Sequence, residues 1–216
     1  RVATRLAPAA TEDVHWLAGL LEGVRFVRTQ PVLLGALTLD LFSVLFAGAE
    51  ALMPVFALEI LQVGAIGLGL LRAAPAAGSV LTSVYLSHRP LTGRLGRRLL
   101  VSVALYGVCI SGFGLSRVFA LSLLLLAFSG VFDNISVVIR STLLQTLTPR
   151  HLLGRVAAVN AVFIGSSNEL GAFESGVAAR LIGTVPAVVL GGVVPILVVA
   201  SIAWRLPDLR RLQKIG

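Results

Sequence analysis

The fold class predicted by this sequence is all-α: an integral membrane bundle of six helices, preceded by a short amphipathic cytoplasmic helix. Of the 216 residues, 56% are hydrophobic and only 13% are charged, and the mean hydropathy is +0.94. Soluble domains have about a quarter of their residues charged, so this composition indicates a chain that lies in lipid. Six long apolar segments and a one-sided distribution of basic residues support the same prediction.

Residues 1–31 are predicted to be a cytoplasmic linker that contains the amphipathic helix. Thr11 is the predicted N-cap, apolar residues recur at helical spacing from Val14 to Val27, and Pro31 ends the pattern. We interpret this helix as packed on the inner ends of the spans. An independent membrane-surface anchor is the less favoured alternative, because the polar face of the helix carries charges of both signs.

Six apolar segments follow within a predicted bundle of residues 32–206. Each is close to the ~17–25 residues that are needed to cross a bilayer core. The predicted spans are 32–58, 66–87, 99–115, 118–139, 156–181 and 185–204. Glycine and proline are frequent inside them, which is typical of membrane helices, where small residues let backbones approach closely.

The basic residues predict the orientation of these spans. Of the 18 lysines and arginines, 15 fall in the amino-terminal segment, in the second and fourth connections, and around a basic cytoplasmic tail at 207–216. The opposite side carries only Arg117 and Arg180. This asymmetry predicts that both termini are cytoplasmic. Because the positive charges are spread over separate loops with few aromatic residues, nucleic acid is not a predicted partner.

Several ionisable and amide side chains fall inside the predicted spans, where they usually mark transport pathways or proton relays. The candidates for substrate binding or proton coupling are Glu174, Glu169, Asp40, Asp133, Asn160 and Asn168. Glu174 shares a helical face with Asn160, Ser167 and Gly171, so we predict that Glu174 faces a cavity and that Glu169 faces its edge or a neighbouring helix. The alternative for each charged residue is a structural ion pair or a side chain that extends to the membrane interface.

Two further charged residues, Glu50 and Arg72, are predicted to lie near the same end of neighbouring spans and are candidates for an ion pair. Arg140 is interpreted instead as a structural residue, either in an ion pair or at the membrane interface.

The motifs of common enzymes are missing. The three histidines lie outside the predicted spans, and the chain has no His-Glu-x-x-His motif, no phosphate-binding loop and no cysteine cluster. Cys109 is the single cysteine, which excludes a disulfide within the chain. We therefore predict no enzymatic activity, no cofactor and no metal site.

Three runs in the second half of the chain carry a resemblance to a known family. They are DNISVVIRSTL at 133–143, GRVAAVN at 154–160 and GSSNELGAFESG at 165–176. They resemble the carboxy-terminal half of a major facilitator superfamily transporter, and most closely the enterobactin-exporter-like bacterial drug and siderophore exporters. The resemblance implies that the six spans are one half of a twelve-span fold and that an amino-terminal six-span half is missing. It also implies that the protein lies in the cell inner (plasma) membrane.

The loop at 93–98 resembles the basic cytoplasmic motif of the same superfamily. The resemblance implies a gating role for Arg94, Gly96, Arg97 and Arg98. The family motif has an aspartate before its first arginine, whereas this sequence has Gly93 there, so the charge relay lacks its acid.

These observations predict the carboxy-terminal half of a secondary active transporter, in which export of a small molecule of the drug or siderophore class is coupled to protons. The expected partners are the lipid bilayer, the missing half, the small-molecule substrate and protons. The alternative is a six-span scaffold or assembly subunit whose buried charges hold helices together without transport. Loss of transport after neutralising an acid, with folding intact, would distinguish the two.

Overall fold

The computed structural model describes residues 16–46, 49–89 and 93–205. These residues are almost entirely helical and contain no strand, which confirms the all-α prediction. The helices are α1 (Trp16–Thr29), α2 (Pro31–Phe46), α3 (Ala49–Val55), a π-helical segment (Phe56–Ile60), α4 (Gly64–His88), α5 (Leu95–Leu115), α6 (Phe119–Leu147), α7 (Leu153–Ile182) and α8 (Thr184–Arg205). The predicted Thr11 cap and the basic tail at 207–216 lie outside the described residues.

Five helical stretches of the described chain are long and apolar enough to cross a membrane: Pro31–Ile60, Gly64–His88, Leu95–Leu115, Phe119–Leu147 and Thr184–Arg205. The sequence predicted six spans, and the one outside this set is α7. With 30 residues α7 is about 45 Å long, more than the thickness of a hydrocarbon core. It is less apolar than the other five, because asparagines, serines and glutamates are distributed along its length.

The first predicted span departs from a regular α-helix near its end. It contains α2, α3 and the π-helical segment. Pro54 then lies inside α3 and cannot donate the backbone hydrogen bond of a regular helix, and the π-helical segment follows it immediately. Helix α3 packs on α7, α4 and α8.

The helices pack as a bundle in which α6 lies between α4 and α5, α5 packs extensively on α8, and α2 packs on α7 and α8. Helix α1 packs across the beginning of α7 and also contacts α2. Gly23 of α1 allows this approach, since a Cβ atom there would lie 3.0 Å from the carbonyl oxygen of Arg155. The side chain of Arg155 also forms an exposed ion pair with Glu22.

Helices α4 and α6 touch backbone to backbone at two glycines. A Cβ atom at Gly78 would collide with the carbonyl oxygen of Ala127, and one at Gly130 would collide with the backbone of Pro75. The hydroxyl of Ser79 donates to the carbonyl oxygen of Gly130 at 3.0 Å. Without a strong hydrophobic force between helices in lipid, such close contact and hydrogen bonding hold membrane helices together.

Close backbone contact at glycine residues joins two more helix pairs. Gly107 of α5 and Gly192 of α8 face each other at backbone distance, and the hydroxyl of Ser111 donates to the carbonyl oxygen of Val189 at 3.2 Å. In α7, a Cβ atom at Gly171 would lie 2.6 Å from the carbonyl oxygen of Leu45 in α2. Small residues therefore fix the spacing of three helix pairs in the bundle.

A buried ion pair joins α2 to α6. The guanidinium of Arg140 contacts the carboxylate of Asp40, and both side chains are buried. The sequence interpretation of Arg140 left two alternatives, a structural ion pair or a position at the membrane interface. The structure shows the ion pair, because α6 continues to Leu147 and carries Arg140 inside the bundle. Burying a charge in a nonpolar interior costs free energy of desolvation, which an opposite charge and hydrogen bonds must offset. Asp40 provides both for Arg140.

The close contact of α4 and α6 predicts that Gly130→Ala destabilises the bundle, because the added methyl group must displace the backbone of Pro75. Overpacking of this kind costs about 1–3 kcal/mol. Thermal unfolding of the purified chain in detergent should show a lower midpoint. The matched control is Gly69→Ala in α4, where a Cβ atom meets nothing within 4 Å. Equal midpoints for the two variants would contradict this account of the α4–α6 contact.

The buried ion pair predicts that Asp40→Asn lowers stability by about 3–5 kcal/mol, because the charge of Arg140 is left without a partner. The control is Glu22→Gln, which breaks the exposed pair with Arg155 and should cost at most about 1 kcal/mol. Thermal unfolding in detergent and the abundance of each variant in membranes measure the difference. A mild effect of Asp40→Asn would mean that the pair contributes little.

Candidate binding cavity

An open cavity of about 520 Å³ lies between α3, α4, α5, α6 and α7. Three of its lining residues are charged, and each comes from a different helix: Glu50 from α3, Arg72 from α4 and Asp133 from α6. The side chains of all three are exposed in the described chain. They therefore reach the open space of the cavity and are not packed inside the protein.

Local structure explains how each charged side chain reaches this space. Glu50 is in the first turn of α3, and that turn lies at the cavity wall. Arg72 follows the start of α4 by two turns. Asp133 is the midpoint of α6, with 14 residues of the helix on either side. The close contact at Gly130 brings this part of α6 against α4, so Arg72 and Asp133 lie on adjoining walls.

The sequence predicted that Glu50 and Arg72 could form an ion pair. Both residues line the cavity, but they do not form a salt bridge with each other. Within the described residues the salt bridges are those of Asp40 with Arg140 and Glu22 with Arg155. Asp40 is therefore held in the buried pair, outside the cavity lining. The cavity keeps one guanidinium and two carboxylates available to solvent or to a bound molecule.

Uncharged polar groups complete the lining. They include Tyr106, Ser79, Ser129 and Asn168. The hydroxyl of Ser129 donates to the carbonyl oxygen of Leu126 at 2.7 Å and, like Ser79, keeps its own oxygen free to accept. Sequence reasoning did not single out Tyr106, Ser79 or Ser129. In the sequence they are distinguished only as polar residues within apolar segments. Serine is also found in such segments as a small packing residue, so this feature alone does not indicate a binding site.

The acids of α7 do not line this cavity. Glu169 is exposed, and Glu174 is half-buried with its carboxylate 3.5 Å from the hydroxyl of Ser175. The face that Glu174 shares with Ser167 and Gly171 packs on α2. Asn168, about 120° around the helix from Glu174, lines the cavity instead.

The predicted polar stripe of α7 is thus largely a packing surface, for a local reason. The hydroxyl of Ser167 donates to the carbonyl oxygen of Phe163 in its own helix at 2.7 Å. A serine satisfied in this way behaves as a small residue, and Gly171 beside it admits the backbone of α2. Asn160, the remaining candidate on this face, is half-buried near the beginning of α7.

The residues of the predicted gating loop lie at the beginning of α5, away from this cavity. Arg94, Arg97 and Arg98 are exposed, while Gly96 is buried. Gly93 has a φ of 89°, a left-handed conformation that favours glycine over the aspartate of the related motif.

The arrangement suits reversible binding. Arg72 offers planar donors to oxygen atoms, and the two carboxylates accept hydrogen bonds or protons. In the described part of the chain, no group of three or more histidine, cysteine, aspartate or glutamate residues is placed to hold a metal ion.

Comparison with known proteins gives relatives of one kind. The chain is 30% identical to the enterobactin exporter EntS of Citrobacter koseri over 212 residues, which cover 97% of this chain and 50% of that protein. It is 32% identical over 154 residues to the EntS proteins of Escherichia coli O1:K1 / APEC and O45:K1 (strain S88), covering 70% of this chain and 36% of each relative. No family model and no solved structure matches the chain.

The chain spans about half the length of the first of these curated relatives, and nearly all of the chain takes part in that match. The chain is therefore a homologue of the enterobactin exporters of the major facilitator superfamily.

Proposed function

We propose that the chain is the carboxy-terminal half of a secondary active exporter that moves a siderophore-class small molecule across the inner membrane, coupled to protons. The observation that carries this proposal is the open cavity, in which Glu50, Arg72 and Asp133 meet inside a bundle homologous to enterobactin exporters. Transporters of this type place their substrate site near the middle of the bilayer, between two structural repeats, and alternate its access by rocking.

The position and size of the cavity support a role in binding cargo. Asp133 lies at the middle of a helix long enough to cross the membrane, so the cavity is at midplane depth. Its volume of about 520 Å³ is within the ~300–1,000 Å³ typical of small-molecule sites. In the complete transporter the second half would face the open side and enclose the cargo.

The lining suits a cargo that has both oxygen atoms and apolar surface. Arg72 can donate to anionic or carbonyl oxygens, and Tyr106 and Asn168 can donate and accept. Met53, Ile110 and Leu126 supply apolar contacts in the same space. This mixture fits the siderophore class that the names of the relatives indicate.

Asp133 is the residue we propose for proton coupling. It is a cavity carboxylate at midplane depth, and it forms no salt bridge within the described chain. A carboxylate that meets water from each side of the membrane in turn can carry a proton across. Glu174 and Glu169 remain candidates, but their placement outside the lining makes Asp133 the better-supported one.

We further propose that α7 is the sixth span, with both termini cytoplasmic. Its exposed polar positions, including Glu169 and Asn168, would then face the second half and the cavity, away from lipid. The even number of crossings would also put the connections rich in arginine on one side.

This topology predicts the outcome of reporter fusions. Fusions at Gly64, Arg117 and Gly183 should report exposure outside the cytoplasm, and fusions at Gly93 and Arg150 should report the cytoplasm. If α7 failed to cross, Gly183 would remain on the same side as Arg150. A cytoplasmic signal at Gly183 would therefore refute the sixth span.

The coupling role predicts that Asp133→Asn abolishes pH-driven export while leaving abundance and thermal stability close to those of the parent. The reason is that the substitution preserves shape, removes a titratable group and breaks no salt bridge of the described chain. The measurement is export of an enterobactin-type siderophore from everted vesicles with an imposed pH gradient, with the chain joined to its amino-terminal half. Glu174→Gln is the matched control and should retain export.

The opposite pattern, with export lost in Glu174→Gln and retained in Asp133→Asn, would show that the acid of α7 carries the proton. Unchanged export and an unchanged pH profile in both variants would remove proton coupling from these residues. If the joined protein exported nothing at all, the scaffold alternative would stand.

A further inference from the structure

A second concavity, of about 540 Å³, lies between the beginning of α5 and the middle of α6. It shares no lining residue with the binding cavity. We call it the arginine groove, and its lining residues are Gly93, Arg94, Arg97, Arg98, Val101, Ser102, Leu105, Phe132 and Ile135. One end is therefore strongly basic, and the walls beyond that end are apolar.

The basic end of the groove has no acidic counterpart in the described chain. Arg94, Arg97 and Arg98 are all exposed, and none forms a salt bridge there. No aspartate or glutamate lines the groove. Gly93 occupies the place where the related cytoplasmic motif has its acid. Three guanidinium groups gathered in this way repel one another and favour an anion from outside the chain.

The apolar walls extend the groove along the span. From Arg97 to Leu105 the axis of α5 rises about 12 Å, close to the ~15 Å depth of one leaflet of the hydrocarbon core. Val101 is 47% exposed and Leu105 is 38% exposed, so both keep apolar surface uncovered within the chain. Phe132 and Ile135 form the opposite wall on α6.

We propose that the arginine groove binds one anionic phospholipid. Its phosphate lies among Arg94, Arg97 and Arg98, and one acyl chain lies along Val101 and Leu105. Arginine binds phosphate oxygens through two parallel hydrogen bonds, and basic pockets between membrane helices on the cytoplasmic side bind anionic headgroups. The proposal requires that α5 and α6 cross the membrane; it does not depend on transport by the binding cavity.

Charge and shape together favour a lipid over a free anion or a second cargo site. A free phosphate would use the arginines and leave the apolar walls unoccupied. A cargo molecule in transit would need a route into the binding cavity, with which the groove shares no residue. A phospholipid matches both parts of the groove at once, at the level where its headgroup lies.

The first test is native mass spectrometry of the purified chain in mild detergent, titrated with dioleoyl phosphatidylglycerol or dioleoyl phosphatidylcholine. One phosphatidylglycerol should bind saturably, and more tightly than phosphatidylcholine, which has identical acyl chains. Each removed positive charge should weaken binding by about fivefold, so Arg97→Gln with Arg98→Gln should weaken it roughly 25-fold. Arg89→Gln removes a charge from the same connection but outside the groove, and should have little effect.

A second pair of variants changes the charge at one position while keeping the same shape. Gly93→Asp and Gly93→Asn place nearly identical side chains at the same left-handed backbone position, so both carry the same strain. Only the aspartate adds a negative charge beside Arg94. Phosphatidylglycerol should bind about fivefold more weakly to Gly93→Asp than to Gly93→Asn.

The role of the apolar walls is tested with a large side chain that fills the space beside them. Val101→Trp should exclude the acyl chain and weaken phosphatidylglycerol binding. Val108→Trp is the control, because Val108 is similarly exposed on the same face of α5 but two turns further from the arginines. Glycerol phosphate, which has the headgroup chemistry without acyl chains, should not displace the lipid at equal concentration.

The proposal is overturned if phosphatidylcholine binds as tightly as phosphatidylglycerol, or if the arginine variants match Arg89→Gln. Full displacement by glycerol phosphate, together with normal binding in Val101→Trp, would instead identify a plain anion site. Thermal unfolding of each variant separates these outcomes from misfolding, since the control variants should melt at the same temperature as their partners.

Discussion

A charge inside a membrane protein must either meet an opposite charge or reach water, and this constraint sorts the ionisable residues of the bundle. Asp40 and Arg140 are removed from solvent and satisfy one another between α2 and α6. Glu50, Arg72 and Asp133 stay exposed and surround an open cavity. The buried pair thus acts as structure, and the exposed set is available for binding. Asp40 and Glu50 lie on one span, and Arg140 and Asp133 lie on another, whereas Arg72 lies on α4.

The shape of the cavity depends on the glycines as much as on the charges. Pro75 and Gly130 touch backbone to backbone, and both also line the cavity. The α4–α6 contact therefore sets the distance between the walls that carry Arg72 and Asp133. The first turn of α3 supplies Glu50 to the third wall. The contact that holds α4 and α6 together therefore also shapes the binding cavity. A larger distance between these two helices would change both.

The two concavities divide the bundle by function in our proposals. The cavity at midplane depth carries charges of both signs and suits a polar cargo. The arginine groove carries one sign of charge above apolar walls and suits a lipid. Helix α6 contributes to both, with Asp133 in the cavity and the adjacent Phe132 in the groove. Because neighbouring residues on a helix point about 100° apart, one helix can serve a cargo on one face and the bilayer on another.

The sequence by itself determined the helical class, the membrane location and the homology to exporters, because hydrophobicity and motif spacing are local properties that add along the chain. Tertiary structure decided which faces meet. Helical periodicity placed Glu174 with Ser167 and Gly171, but could not show that small residues on that face would admit α2, leaving Asn168 at the cavity. It likewise could not pair Asp40 with Arg140, since their contact depends on how two distant helices cross.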